Sequence, residues 1–174
     1  ATASGLGAGP PQYVATDPGE AGLPGRLVCE QVRPQERYRI APAVEDGTLG
    51  ESKVLRGLMD GAERVHLIGL VSDGGVHSSD RHLKALVELA ASKGVPDVVV
   101  HAFTDGRDTS PKGGAKFLAA VEALDGARVG SVIGRYFAMD RDGRWDRVQK
   151  AYDLLVHGKG SHHADSAEQA AKDA

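Results

Sequence analysis

Three short stretches hold the residues best suited to chemistry: Ser72-Asp73-Gly74-Gly75-Val76-His77-Ser78, Asp105-Gly106-Arg107-Asp108, and Gly134-Arg135-Tyr136-Phe137-Ala138-Met139-Asp140-Arg141. Together they supply one histidine, three arginines and a carboxylate directly beside an arginine. The guanidinium fork matches a phosphate or carboxylate in two-point contact, which the point charge of lysine cannot do. Each residue also has a plainer reading. A single arginine after a strand is ordinarily a surface residue, His77 before Ser78-Ser79 suits a helix-capping turn, and Arg107-Asp108 could be a local ion pair. Their joint occurrence in three successive loops favours a site for an anion with several oxygens.

Those loops need a scaffold that brings them to one edge. Arg64–Val71, Val98–Phe103 and Arg128–Ile133 are apolar, β-branched runs of strand length, and each ends at one of the three loops. Helical spacing separates them. Val54, Leu55, Leu58 and Met59 form a stripe over 51–62. Leu83, Leu86, Val87 and Ala90 form another, closed by Lys93 and Gly94. Phe117, Leu118, Val121 and Leu124 mark a helix over 112–124, and Trp145, Val148, Tyr152 and Leu155 mark the next. The expected fold is α/β, a parallel sheet of βαβ units with helices on both faces and right-handed crossovers. In such a sheet the loops leaving the carboxyl ends of the strands form the ligand site. Asp165-Ser166-Ala167-Glu168 reads as a capping box opening a last helix close to the final residue, so the domain is expected to be incomplete. Residues 1–25 are dense in glycine and proline and read as an arm, while 26–42 show no legible periodicity. The division expected is a Gly/Pro-rich arm over 1–42, with the remnant of a linker from a neighbouring domain, and a partial substrate-binding domain over 43–174.

Composition narrows the function classes. A chain of 174 residues with net charge −3 and no basic run is not expected to bind nucleic acid. No apolar stretch approaches the roughly 20 residues that span a bilayer, and no signal peptide opens the sequence. Cys29 is alone, which fits a reducing cytoplasm. No G-x-G-x-x-G follows a strand and there is no P-loop. Asp140-Arg141-Asp142-Gly143 imitates a calcium loop, but the sixth position is Trp145 where glycine is needed. His157, His162 and His163 flank glycines, and a solvated tail is the expectation there rather than a metal site.

Three blocks of sequence carry a resemblance. Leu67 to Ser78 (LIGLVSDGGVHS), His101 to Lys112 (HAFTDGRDTSPK) and Gly134 to Arg147 (GRYFAMDRDGRWDR) resemble the cofactor-independent, 2,3-bisphosphoglycerate-independent phosphoglycerate mutases, metal-dependent relatives of alkaline phosphatase. The similarity covers residues 43–174 well. It extends weakly upstream, to Gly19-Glu20-Ala21-Gly22-Leu23-Pro24. The family interconverts 3-phosphoglycerate and 2-phosphoglycerate in glycolysis. Its phosphatase-like domain, with two manganese ions and a serine nucleophile, is interrupted by an inserted phosphotransferase domain that holds the glycerate. The resemblance implies that His77, Arg107, Asp108, Arg135 and Arg141 bind substrate. It also implies that Asp108 exchanges protons with the glycerate hydroxyls as catalytic acid–base.

The sequence departs from the family elsewhere. Leu23-Pro24-Gly25-Arg26-Leu27-Val28 passes directly to a later element, without the serine-bearing segment. The family's metal motifs are also absent, so no manganese ligands are expected in this chain. Phosphoryl transfer through serine needs a positioned nucleophile and metal activation. The expectation is an isomerase-family chain that is not catalytic alone. The alternatives are a phosphoglycerate-binding remnant, or a piece that docks on a phosphatase-like chain or self-associates.

Overall fold

The structure, a computed structural model, describes residues 14–15, 26–29, 34–160 and 162–172. The strands are β1 (Val14–Ala15), β2 (Arg26–Cys29), β3 (Arg64–Val71), β4 (Asp97–Thr104) and β5 (Arg128–Gly134). They form one sheet in the order β1-β5-β4-β3-β2, parallel throughout except for the short antiparallel pairing of β1 with β5. The β3 expectation holds residue for residue. The other two runs extend slightly, to Asp97, Thr104 and Gly134.

The helices are α1 (Pro34–Glu45), α2 (Lys53–Met59), α3 (Asp80–Ser92), α4 (Gly114–Glu122), α5 (Arg135–Ala138), α6 (Trp145–His157) and α7 (Ala167–Lys172). Strands β2 to β5 are added in one direction, so right-handed crossovers must place their connecting helices on one face. Met59 of α2, Leu86 and Val87 of α3, and Leu118 and Val121 of α4 share one cluster with Val65, Leu67, Val98 and Val100. Helix α7 joins the same cluster through Ala167 and Ala170. After β5 the chain crosses over, and Ala151 and Leu154 of α6 pack on Ile133 with Phe103 and Phe137 beside them. Helices therefore cover both faces.

A register shift lies between β4 and β5: Val100 pairs with Val129 but His101 with Ser131, leaving Gly130 as the extra residue. This bulge reverses the in–out alternation. It explains why Val129 and Val132, three apart, face the same cluster. It also sets Ser131 across from His101. His101 Nδ1 lies 2.8 Å from Ser131 Oγ, and its Nε2 lies 2.8 Å from His66 Nδ1. All three are buried. Burial, then the neighbouring His66 and Arg128, pushes His101 down to about 3, so its ring is neutral at physiological pH.

Several boundaries differ from expectation. Residues 26–42 are not featureless, since they contain β2 and most of α1. Helix α1 carries Pro34 in its first turn, where the missing N–H costs nothing, but Pro42 inside it breaks the usual signal. Most of residues 1–25 lies outside the described residues, and Val14–Ala15 form β1. The cap of α7 falls one residue later than expected: Ser166 Oγ accepts from the Gln169 amide at 3.0 Å. The amides of Ala167 and Glu168 donate instead to the Glu122 carboxylate of α4, at 2.6 and 3.2 Å. A side chain 45 residues away thus closes this helix end, which local sequence cannot foretell.

Candidate functional site

Parallel strands β3, β4 and β5 end side by side, so the three loops meet at one edge. Thr104 ends β4, and Asp105-Gly106 turns the chain with Gly106 at φ +68°, a conformation that L side chains rarely adopt. Asp105 is the fixed point of this turn. Its Oδ1 accepts from the backbone amides of Arg107 and Asp108 at 3.1 and 3.0 Å. Its Oδ2 accepts from Ser72 Oγ, just beyond β3, at 2.8 Å. Arg135 Nη1, just beyond β5, also donates to Oδ1 at 2.9 Å. The β3 loop approaches closely as well. A Cβ on Gly74 would stand 3.0 Å from Asp108 Cβ and 3.2 Å from its carbonyl oxygen, so only glycine fits without displacement.

The guanidinium of Arg135 is buried, with 8% of the side chain exposed. The same Nη1 that donates to Asp105 donates to Asp108 Oδ2 at 2.6 Å. Burial opposes the charged forms, but this pairing outweighs it. Donation to Asp108 and Asp105 raises Arg135 above the ordinary arginine value. The Asp108 amide, Ser72, the Arg107 amide and Arg135 hold Asp105 below the usual carboxylate range. Asp108 therefore pairs with Arg135 across the sheet edge, rather than with its sequence neighbour Arg107.

A second carboxylate shapes the next loop. Asp140 accepts from the amides of Asp142 and Arg144, at 3.1 and 2.8 Å, and from Arg147 Nη1 at 2.8 Å. Arg147 also reaches Asp142 at 2.9 Å and lies over the Tyr136 ring, 3.9 Å from its centroid. This closed loop carries Arg141, which is exposed.

Between the two carboxylate hubs lies a cavity of about 350 Å³ lined by Arg107, Arg135, Tyr136, Arg141 and Arg147, with Asp105, Asp140 and Asp142 among its walls. Among the described residues, Arg107 and Arg141 form no ion pair, whereas Arg135 and Arg147 each hold two carboxylates. The uncommitted positive charge of the cavity thus resides on Arg107 and Arg141. Asp108 adjoins the cavity through its pairing with Arg135. His77 does not line it. That residue is exposed and borders a separate cleft of about 50 Å³ against Leu83 and Leu86 of α3. The sequence pattern does not single out Asp105, Asp140, Tyr136 or Arg147 as parts of the site. A buried carboxylate that closes a loop over its own amides has only a weak signal, an aspartate opening a D-G or D-x-D turn.

Among the described residues, no group of three or more His, Cys, Asp or Glu side chains could hold a metal ion. The described residues do not fit the manganese pair that the resemblance implies for the whole enzyme. No described helix is long and apolar enough to cross a membrane.

Known proteins match most of this chain. The family described as BPG-independent PGAM N-terminus matches residues 40–174. The 2,3-bisphosphoglycerate-independent phosphoglycerate mutase of Shewanella amazonensis is 45% identical over 151 residues, which are 82% of this chain and 28% of that protein. The protein of that name from Escherichia coli O1:K1 / APEC is 44% identical over 176 residues, covering 95% of this chain and 33% of its own length. The crystal structure of Leishmania mexicana phosphoglycerate mutase at low cobalt concentration matches with a TM-score of 0.70 and 27% identity, over 98% of this chain and 40% of that one. The chain spans about a third or less of the length of these curated relatives.

Proposed function

The chain belongs to the 2,3-bisphosphoglycerate-independent phosphoglycerate mutase family, and on that premise we propose that its arginine-lined cavity holds phosphoglycerate during the interconversion of 3-phosphoglycerate and 2-phosphoglycerate. The observation that carries this reading is the pair of uncommitted cations, Arg107 and Arg141, facing the same cavity as the pinned Arg135. Arg107 and Arg141 take the phosphate and carboxylate oxygens, and Arg135 offers the remaining donors of its fork. Asp108, held at the cavity margin by Arg135, is the group placed to exchange a proton with a glycerate hydroxyl. His77 is assigned to substrate only through its place in the family motif, since it stands outside this cavity.

Serine phosphorylation and its metal activation lie outside the role proposed for this cavity. We assign them to a phosphatase-like partner, on the same or a separate polypeptide, working in the cytoplasm. Trp145 and Tyr152, seven residues apart on α6 and both exposed, mark an apolar surface for that partner or for a second copy.

Calorimetric titration with 3-phosphoglycerate tests the binding claim. Saturable binding is expected, weakened about tenfold or more by Arg107→Ala and by Arg141→Ala, in line with charged hydrogen bonds. Identical isotherms for the three proteins would overturn it. With manganese and 3-phosphoglycerate, no 2-phosphoglycerate is expected from the purified chain. Turnover free of host enzyme would overturn the division of labour.

A further inference from the structure

The side chain of Asp105 is buried, with 2% exposed, and its oxygens are turned inward to partners within the protein. Four donors converge on its two oxygens: Ser72 Oγ from the end of β3, the amides of Arg107 and Asp108 from its own loop, and Arg135 Nη1 from the end of β5. Three of them share Oδ1 and the fourth takes Oδ2, so this buried carboxylate is turned toward the protein rather than toward a ligand. Its hydrogen bonds tie together all three strand ends.

The geometry at Arg135 gives this arrangement a purpose. Asp105 and Asp108 both take Nη1, leaving Nη2 and Nε without a protein acceptor among the described residues. A guanidinium is planar, so fixing one nitrogen between two carboxylates fixes the direction of the whole fork. Arg135 lines the cavity, so those remaining donors are the ones available to an oxyanion there. The same carboxylate also holds the backbone that carries Arg107 and Asp108.

We propose that Asp105 is a positioning residue for the phosphoglycerate site. It sets which edge of the Arg135 guanidinium faces the ligand and holds the Arg107-Asp108 backbone in register with it. The proposal rests on the reading that this cavity holds phosphoglycerate, although its geometric half can be tested without any ligand.

The test uses the whole chain with Asp105→Asn, which preserves shape and one acceptor oxygen but removes the charge, and with Ser72→Ala, which cuts only the tether to β3. Two quantities are measured: solvent exchange at the Arg135 Nε–H by ¹⁵N NMR, identified by its loss in Arg135→Lys, and the affinities for 3-phosphoglycerate and inorganic phosphate. In the wild type this N–H should exchange more slowly than those of exposed arginines. In Asp105→Asn its exchange should accelerate about tenfold, and 3-phosphoglycerate should bind about tenfold more weakly. Inorganic phosphate, which needs no second aligned contact, should lose less. Ser72→Ala should shift both quantities in the same direction by a smaller factor. It carries the test alone if Asp105→Asn does not fold.

An unchanged Arg135 signal in a folded variant would overturn the positioning role, whether or not affinity falls. Equal losses for 3-phosphoglycerate and phosphate would also overturn it, because alignment would not be what was lost. A wild-type chain that binds no 3-phosphoglycerate, while Asp105→Asn still frees Arg135, would sink the binding reading and leave the geometric role standing.

Discussion

Acidification should destabilise this domain through His101, the buried imidazole held between His66 and Ser131. His101 is 1% exposed and is pushed from an ordinary value of 6.5 to about 3, first by burial and then by His66 and Arg128. The unfolded chain takes up this proton near pH 6.5, whereas the folded chain resists it until near pH 3. The contribution is therefore fully present above pH 6.5 and is lost as pH falls toward 3. Each pH unit inside that window is worth roughly 1.4 kcal/mol, so lowering pH from 7 to 4.5 should remove about 2.5 kcal/mol. Carboxylates held below their ordinary value, such as Asp97 and Asp105, lose their stabilising effect only below about pH 4. Comparison with a variant that cannot titrate at position 101 isolates this residue from the others. The assay is urea unfolding followed by circular dichroism at both pH values, for the wild type and for His101→Gln. Glutamine can still bond to His66 and Ser131 but cannot titrate. The wild type should lose about 2.5 kcal/mol more than the variant on acidification, whatever their difference at pH 7. Equal losses in the two proteins would refute the reasoning.

Other outcomes follow from the geometry of the site and its supports. Arg135→Ala leaves the Asp105 and Asp108 carboxylates uncompensated at a buried position and should cost about 3–5 kcal/mol in urea unfolding. Arg141→Ala removes an exposed, unpaired side chain and should change stability by less than about 0.5 kcal/mol. Gly74→Ala presses a Cβ on the Asp108 backbone, so it should weaken 3-phosphoglycerate binding by calorimetry while core amide exchange stays unchanged. Glu122→Ala removes the acceptor for two α7 amides. It should cost about 1 kcal/mol, seen as faster hydrogen exchange at Ala167 and Glu168 with slow exchange retained in β4.

The three central strands and their intervening helices are legible in the sequence because each is a run of one period, bounded by turn residues. Val98-Val99-Val100 ending at Asp105-Gly106 is the clearest case. Strand β2 is not legible, since four residues starting with an arginine lack a pattern, and the Pro42 signal hides α1. The bulge at Gly130 has only a weak mark, one glycine inside a strand run, and that does not reveal the His101–Ser131 contact. At the site, the convergence of Arg107, Arg135 and Arg141 was legible because parallel strands put their loops on one edge. What the sequence could not say is which arginines are already spent. Asp108 meets Arg135 rather than Arg107, and Arg147 is committed to Asp140, through contacts made across the edge or within a folded loop. The path of the Ser72–Ser78 loop, which sends His77 to the α3 side, is likewise a property of the packed structure.

The most direct measurement is a titration of the ¹⁵N-labelled chain with 3-phosphoglycerate, followed residue by residue by NMR. The account predicts saturable shifts centred on the amides of Gly106–Asp108 and Arg135–Asp142, around the cavity between Asp105 and Asp140. Buried β3 amides such as those of Val65 and Leu67, at the far end of their strand, should stay still. A spectrum unchanged at saturating ligand, or shifts gathered at a different surface, would contradict it.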